Sequence, residues 1–368
     1  TPNCSSAASD VYKRQLKLCT IFILSLVILF CPMEFLGSNI ISINQFEKDD
    51  IELIFKTADS LIPFANRSKL TKVLDGAILS NMFFEPSTRT RISFGSAFNM
   101  LGGSVRETTE MDSTSLKKGE SLYDTSRVLS GYSDIIVMRH PIAGSVKEFA
   151  EASRVPVING GDGDNEHPSQ ALLDLYTIKK ELESRGKTIE NARVALIGDL
   201  KYGRAAHSLC KILSLYQNIS LNLVSPEKLK LPSSLIKELE INSVSLKETD
   251  DIQEGISDVD ILYVTRIQEE RFNDTDEAKK YKGLMSLNEE IYTKNCEPNT
   301  VIMHPLPRDS RNDANELDSD LNQNPNLAIY RQTDNGLLIR MSLFTLILGV
   351  SDQINDSASN VNWYSSKS

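Results

Sequence analysis

The sequence predicts an α/β protein built as two doubly wound domains, each on its own parallel sheet. Three observations predict it. Short apolar runs rich in Ile and Val alternate with longer amphipathic stretches, the pattern of buried parallel strands joined by helices. The 368 residues suffice for two hydrophobic cores. Nearly every short apolar run also stops at an unusual polar cluster, and open α/β sheets bind ligands at the carboxyl ends of their strands.

In chain order, the first segment differs in kind. Lys13, Arg14 and Lys17 precede the uncharged apolar run Leu18–Cys31. A basic flank and a run shorter than the about 20 residues of a membrane span fit a signal-peptide or signal-anchor core. A leader foreign to the body is the other reading. Residues 1–40 are therefore set apart from the fold.

From Ile41 on, the expected strands are Ala77–Phe84, Ile135–Met138, Val155–Ile158, Val194–Ile197, Leu221–Val224, Ile261–Val264 and Val301–Met303. Helical patterns occupy Arg91–Leu101, Ser121–Ser130, Gln170–Leu182 and Ala205–Leu215. The polar stretch Lys179–Asn191 ends a connecting helix and starts the second unit. Asn335–Val350, apolar all round, reads as a buried helix. The domains expected are 41–183 and 184–335, with 336–368 returning to the first.

Composition narrows the partners. Hydrophobic residues make up 40%, charged residues 24%, and the net charge is −10. With no basic excess to release counterions, nucleic acid is not an expected partner. An anionic ligand needs a local basic island. Three of the five cysteines fall in the first 31 residues, so the body has no disulfide framework and suits a reducing, cytoplasmic compartment. No spacing suits metal ligands, and neither a metal nor a cofactor is expected.

The polar clusters carry the chemistry. In FFEPSTRTR, Ser87, Thr88, Arg89 and Thr90 follow a strand and meet a helix start expected near Arg91. Free backbone N–H groups, the helix dipole, rotatable hydroxyls and a planar guanidinium together suit a phosphate. Three of the four histidines, His140, His167 and His304, precede proline and are expected on loops beyond their strands. Arg139, Arg204, Arg266 and Arg308 follow strands and, with Arg89, predict a pocket for more than one anionic group. Guanidiniums, hydroxyls and one polarising histidine suit direct transfer between two anionic ligands.

With KKGES, VMRHP, GDG…HPSQALLDLYTI, GDLKYGR, TRIQEER and HPLPR in the same order, the chain resembles the carbamoyltransferases. TRIQ and HPLP resemble the aspartate-specific members; ornithine-specific members and other carbamoyltransferases are the alternative. Arg266 and Gln268 suit a substrate carboxylate and would repel a cationic side chain. The resemblance implies an enzyme that transfers the carbamoyl group of carbamoyl phosphate to L-aspartate, a step of pyrimidine biosynthesis. It implies an active site in the cleft between the domains and at the subunit interface of a homotrimer. Carbamoyl phosphate is then held by Ser87, Thr88, Arg89, Thr90, Arg139, His167, Gln170, Leu306 and Pro307. Aspartate is held by Arg204, Arg266, Gln268 and Lys118, the last reaching in from a neighbouring subunit. Arg89, Thr90, Lys118, Arg139 and His167 are the expected catalytic residues. The chain departs from the family pattern at Gly95, Thr114 and Glu166, and a regulatory subunit is left open.

Overall fold

The run Ala77–Phe84 becomes strand β1, Ile78–Phe83, with five of its six residues buried. The computed structural model describes residues 33–109, 119–272, 274–309, 311 and 314–364, and Phe35–Ser368 form one compact unit. Beside β1 lie β2 (Ser104–Thr109), β3 (Ile135–His140) and β4 (Val157–Asp162), in the order β2-β1-β3-β4, every neighbouring pair parallel. The second sheet holds β5 (Arg193–Ile197), β6 (Ser220–Val224), β7 (Ser245–Thr249), β8 (Ile261–Val264) and β9 (Val301–Met303), in the order β9-β8-β5-β6-β7, again parallel. Two doubly wound α/β lobes are thus present. Ile, Val and Leu lie on both faces of the central strands because helices cover both sides.

The helices that matter for the site are α1 (Lys48–Ala65), α2 (Thr88–Met100), α3 (Leu122–Leu129), α4 (Ser145–Ala152), α5 (Pro168–Glu183) and α6 (Arg204–Leu213). The C-terminal helix, Ile329–Ile347, starts six residues before the expected Asn335. Just before it, Ile302 of β9 bridges to Leu327. It packs on α1, α2 and α5, and Phe344 meets Phe94 and Phe98 of α2 edge-on at 5.9 and 5.0 Å.

Several expectations need correction. Residues 35–40 belong to the body: Phe35 and Ile40 are buried, Ile40 bridges to Ile158, and the Gly37 N–H donates to the Ile347 carbonyl at 2.9 Å. The edge strands β2 and β7 were not expected, because their exposed residues show no apolar run. Helix α2 begins at Thr88, not near Arg91. His140 ends strand β3 and does not stand on a loop beyond it. Among the described residues no helix is long and apolar enough to cross a membrane; the run Leu18–Cys31 lies outside them.

Candidate active site

Three helices begin at one cavity. Helix α2 follows Ser87, which takes the extended N-cap conformation (φ −160°, ψ 93°) but makes no side-chain cap bond. Its hydroxyl is therefore not spent on the helix, and the first turn carries no acidic residue. Helix α5 starts with Pro168 after His167 at the N-cap position, and α6 starts with Arg204 after Gly203. Neither has a side-chain cap. Each start leaves backbone N–H groups and the positive end of a dipole unanswered by a cap. The cavity they border has a volume of about 380 Å³ and draws on FFEPSTRTR, VMRHP, GDG…HPSQ, GDLKYGR, TRIQEER and HPLPR.

Its charge is strongly positive. Arg89, Arg139, Arg204, Arg266, Arg271 and Arg340 line it, against Glu85 and Glu270. Glu85, just before α2, gathers three of the arginines. Arg204 Nη2 donates to its Oε2 at 3.2 Å and Arg271 Nη2 to its Oε1 at 3.0 Å. Arg139 Nε lies 3.1 Å from Oε2, an ion pair without hydrogen-bond alignment. Arg271 also donates to the Gly163 carbonyl at 2.8 Å, and Arg204 reaches the same oxygen. Burial, and then the neighbouring Arg204, pushes the Arg139 pKa down to about 10. It stays cationic at neutral pH, and the depression records its burial first and the crowding of like charges second. Arg266 is forked on Glu270 and donates to the Ile267 carbonyl at 2.9 Å. Arg89 makes no hydrogen bond or ion pair with any described residue; burial and the Arg266 charge lower its pKa.

The histidines separate by what their rings already hold. His140 Nδ1 accepts from the Ile142 N–H at 3.1 Å. His304 Nδ1 accepts from the Leu306 N–H at 2.8 Å and its Nε2 lies 2.8 Å from Glu316, so both nitrogens are used in fixing the turn at Leu306–Pro307. His207 Nε2 pairs with the Leu200 carbonyl at 2.8 Å. Only His167 keeps a ring nitrogen without a partner in the cavity: Ser169 Oγ is 3.4 Å from its Nδ1, which leaves Nε2. Burial, then Arg204, Arg139 and Arg340, holds the His167 pKa well below the ordinary range. The ring is neutral at pH 7. With Ser169 donating to Nδ1, it presents a Nε2–H donor.

Of the other expected residues, Ser87, Thr88, Thr90, Gln170, Gln268, Leu306 and Pro307 all line the cavity. The Gln268 N–H donates to Asp199 at 3.0 Å, and Asp199 also accepts from the Tyr202 N–H at 3.0 Å. One buried carboxylate thus ties the loop after β8 to the loop after β5. Lys118 and Thr114 lie outside the described residues. Arg308 is not in the cavity; it donates to Asn322 at 2.8 Å. Glu85, Arg271 and Arg340 were missed. For Arg340 a signal existed: one charge in the otherwise apolar run LLIRMSLFTLI. For Glu85 and Arg271 the sequence gives none beyond their place in polar clusters. The two departures that can be placed fit locally. A Cβ on Gly95 would lie 3.3 Å from Glu107 Oε1, so a longer acidic side chain there would have to push the Glu107 carboxylate aside and meet its like charge. Glu166 is buried but accepts from Ser42 Oγ at 2.9 Å, the Ile43 N–H at 2.7 Å and Lys211 at 3.0 Å.

Chemically, the cavity can hold one anion at the start of α2 and others against Arg204 and Arg266. Between them lie hydroxyl, guanidinium and neutral imidazole donors. That is an arrangement for stabilising an oxyanion.

Comparison with known proteins agrees with this geometry. A family model described as "Aspartate/ornithine carbamoyltransferase, carbamoyl-P binding domain" matches residues 38–180, and one described as "Aspartate/ornithine carbamoyltransferase, Asp/Orn binding domain" matches residues 190–347. The aspartate carbamoyltransferase catalytic subunit of Cellvibrio japonicus is 63% identical over 334 residues, which cover 91% of this chain and 99% of that protein. The catalytic subunit of M. jannaschii aspartate transcarbamoylase has a similar structure, with a TM-score of 0.75 at 41% identity, over 86% of this chain and 98% of that one. So has aspartate transcarbamoylase from Trypanosoma cruzi in complex with carbamoyl phosphate and aspartate, with a TM-score of 0.79 at 34% identity, over 86% and 99%.

The state of His167 is directly measurable. The unfolded chain takes up a proton near pH 6.5 that folded His167 refuses, so this residue's contribution opposes folding increasingly as pH falls below that value. Nitrogen NMR of the imidazole should report a neutral ring throughout about pH 6 to 8. A titration midpoint near the ordinary value would contradict the buried, arginine-flanked placement.

Proposed function

Because the chain belongs to the aspartate/ornithine carbamoyltransferase family, we propose that its cavity transfers the carbamoyl group of carbamoyl phosphate to the amine of L-aspartate. The products are N-carbamoyl-L-aspartate and phosphate. The observation that carries the reading is the excess of guanidiniums over carboxylates around a cavity sized for two small anions.

The phosphate sits at the start of α2, on backbone N–H groups, the Ser87, Thr88 and Thr90 hydroxyls and the unpaired Arg89. Arg139 reaches the phosphate and the carbonyl. Thr90 Oγ1 and His167 Nε2–H polarise the carbonyl oxygen, and Gln170 holds the carbamoyl nitrogen. The Leu306 and Pro307 carbonyls face the carbamoyl and amino groups. Arg204, Arg266 and Gln268 take the aspartate carboxylates. The α-amine adds to the carbonyl carbon, the negative charge of the tetrahedral intermediate falls among the donors, and the C–O bond to phosphate breaks. Positioning and fixed electrostatics supply the acceleration. Arg266 is the specificity element: paired to Glu270 on one side, it meets a carboxylate well and an ammonium badly.

The assembly belongs to the same reading. The chain acts as a homotrimer in which Lys118 completes the site of a neighbouring subunit. Support for this comes from the family and from the cavity itself, where the described residues leave one side, around Arg89, without a partner. The catalytic body works in the cytoplasm.

Replacing Arg266 with Ala removes a charged contact and leaves Glu270 facing the substrate carboxylate. It should cost about 2–5 kcal/mol in kcat/KM for aspartate, with carbamoyl phosphate binding little changed in calorimetry. An unchanged kcat/KM for aspartate would remove Arg266 from the site.

Subunit mixing tests the shared site. Arg89→Ala and Lys118→Ala trimers are each expected to be nearly inactive. Dissociated and remixed in equal amounts, they should recover about a quarter of wild-type activity if mixing within the ring is random. Proven hybrids without recovery would place Arg89 and Lys118 in the same chain's site.

A further inference from the structure

Asp174 lies in the middle of α5, within the run ALLDLYTI, and is fully buried. A carboxylate among leucines is costly unless donors meet it, and here three donors from three elements do. Its Oδ1 accepts from Gln170 Nε2 at 2.9 Å and from Gln332 Nε2 at 2.6 Å. Its Oδ2 accepts from the Tyr263 hydroxyl at 2.6 Å. The Gln332 amide cannot turn round, because its oxygen accepts the backbone N–H of His304 at 3.0 Å, and a backbone N–H can only donate. The Gln332 nitrogen must therefore face Asp174 Oδ1, which leaves Gln170 as that oxygen's remaining partner.

Burial pushes the Asp174 pKa up to about 7, against the hydrogen bonds from Tyr263, Gln332 and Gln170. While Asp174 is ionised its Oδ1 can only accept, so Gln170 must offer it the amide nitrogen. The Gln170 amide oxygen then accepts no hydrogen bond from any described residue, and Gln170 lines the cavity.

We propose that Asp174 is a positioning residue for the transferred group: it locks the Gln170 amide with its oxygen toward the cavity, where it accepts from the carbamoyl NH2. The inference rests on the reading of the cavity as a carbamoyl phosphate site and adds to it a source of selectivity. An acyl phosphate with a methyl in place of the NH2 has nothing to donate to that oxygen and leaves it desolvated. A freely turning Gln170 would present its own NH2 part of the time, and the selectivity would fall.

The test is the ratio of kcat/KM for carbamoyl phosphate to kcat/KM for acetyl phosphate, with aspartate as acceptor. Asp174→Asn can keep its oxygen toward Gln170 and Gln332 and turn its NH2 to Tyr263, so it should hold the wild-type ratio. Asp174→Leu should lower the ratio about tenfold, the worth of one hydrogen bond to an oriented acceptor. In a Gln170→Ala background the same substitution should lower it no further. If Asp174→Leu does not fold, Asp174→Ser, too short to reach Gln170, should give the same loss. An equal fall for both acyl phosphates, or a further fall in the Gln170→Ala background, would reduce Asp174 to a structural residue and overturn the proposal. A wild-type enzyme that makes no N-carbamoyl-L-aspartate would instead defeat the reading of the site. A wild type that makes it, with a ratio untouched by Asp174→Leu, defeats the role of Asp174 alone.

Discussion

Glu85 is the carboxylate on which three guanidiniums converge. Arg139 comes from the first sheet; Arg204 and Arg271 come from the second lobe. Without an anion among them, three like charges so close in a partly buried crevice would repel one another strongly. One carboxylate cannot neutralise all three, and burial together with Arg204 lowers the pKa of Arg139. The same turn that places Glu85 leads through Pro86 and Ser87 into α2. The link between the lobes and the uncapped start of α2 are therefore set by one short stretch of chain.

The rest of the site follows from that uncompensated charge. The protein as a whole is acidic, at −10, yet the cavity is cationic, so anionic substrates are drawn to one place. Burial and then the arginines keep His167 neutral, which makes it a donor without a charge of its own. Glu270 and Asp199 act as holders: the first aims Arg266, and the second fixes the loops that carry Gln268 and Tyr202. The donors are in place before substrate arrives, so little reorganisation is left for the chemical step.

Much of this was legible in the sequence. The central strands announced themselves as Ile- and Val-rich runs, and Ile261–Val264 and Val301–Met303 were placed to the residue. The polar clusters after those strands named most of the residues that line the cavity. The edge strands β2 and β7 were invisible, because a strand exposed to water on one side need not be apolar. The ends of β3 and β4 were cut short for a related reason: Arg139, His140 and Asp162 are polar residues still within the ladder. The start of α2 was placed late because hydroxyls and arginines form its first turn and carry no helical periodicity. What sequence reasoning missed most were charges that work through distant partners. Glu85 and Arg271 are 186 residues apart, and no local pattern links them. Asp174 and Arg340 did leave a trace, as lone charges in the apolar runs ALLDLYTI and LLIRMSLFTLI, but a trace of that kind says that a residue is paired and not with what.

The central claim is that a carboxylate-bearing amino acid, and not a cationic one, meets the carbamoyl group in this cavity. Carbon-13-labelled carbamoyl phosphate offered to the enzyme with equal concentrations of L-aspartate and L-ornithine tests it in one tube. The account predicts a single labelled product by NMR, N-carbamoyl-L-aspartate, with label otherwise only in spontaneous breakdown products of carbamoyl phosphate. Citrulline, the carbamoylated ornithine, accumulating at a comparable rate would contradict it.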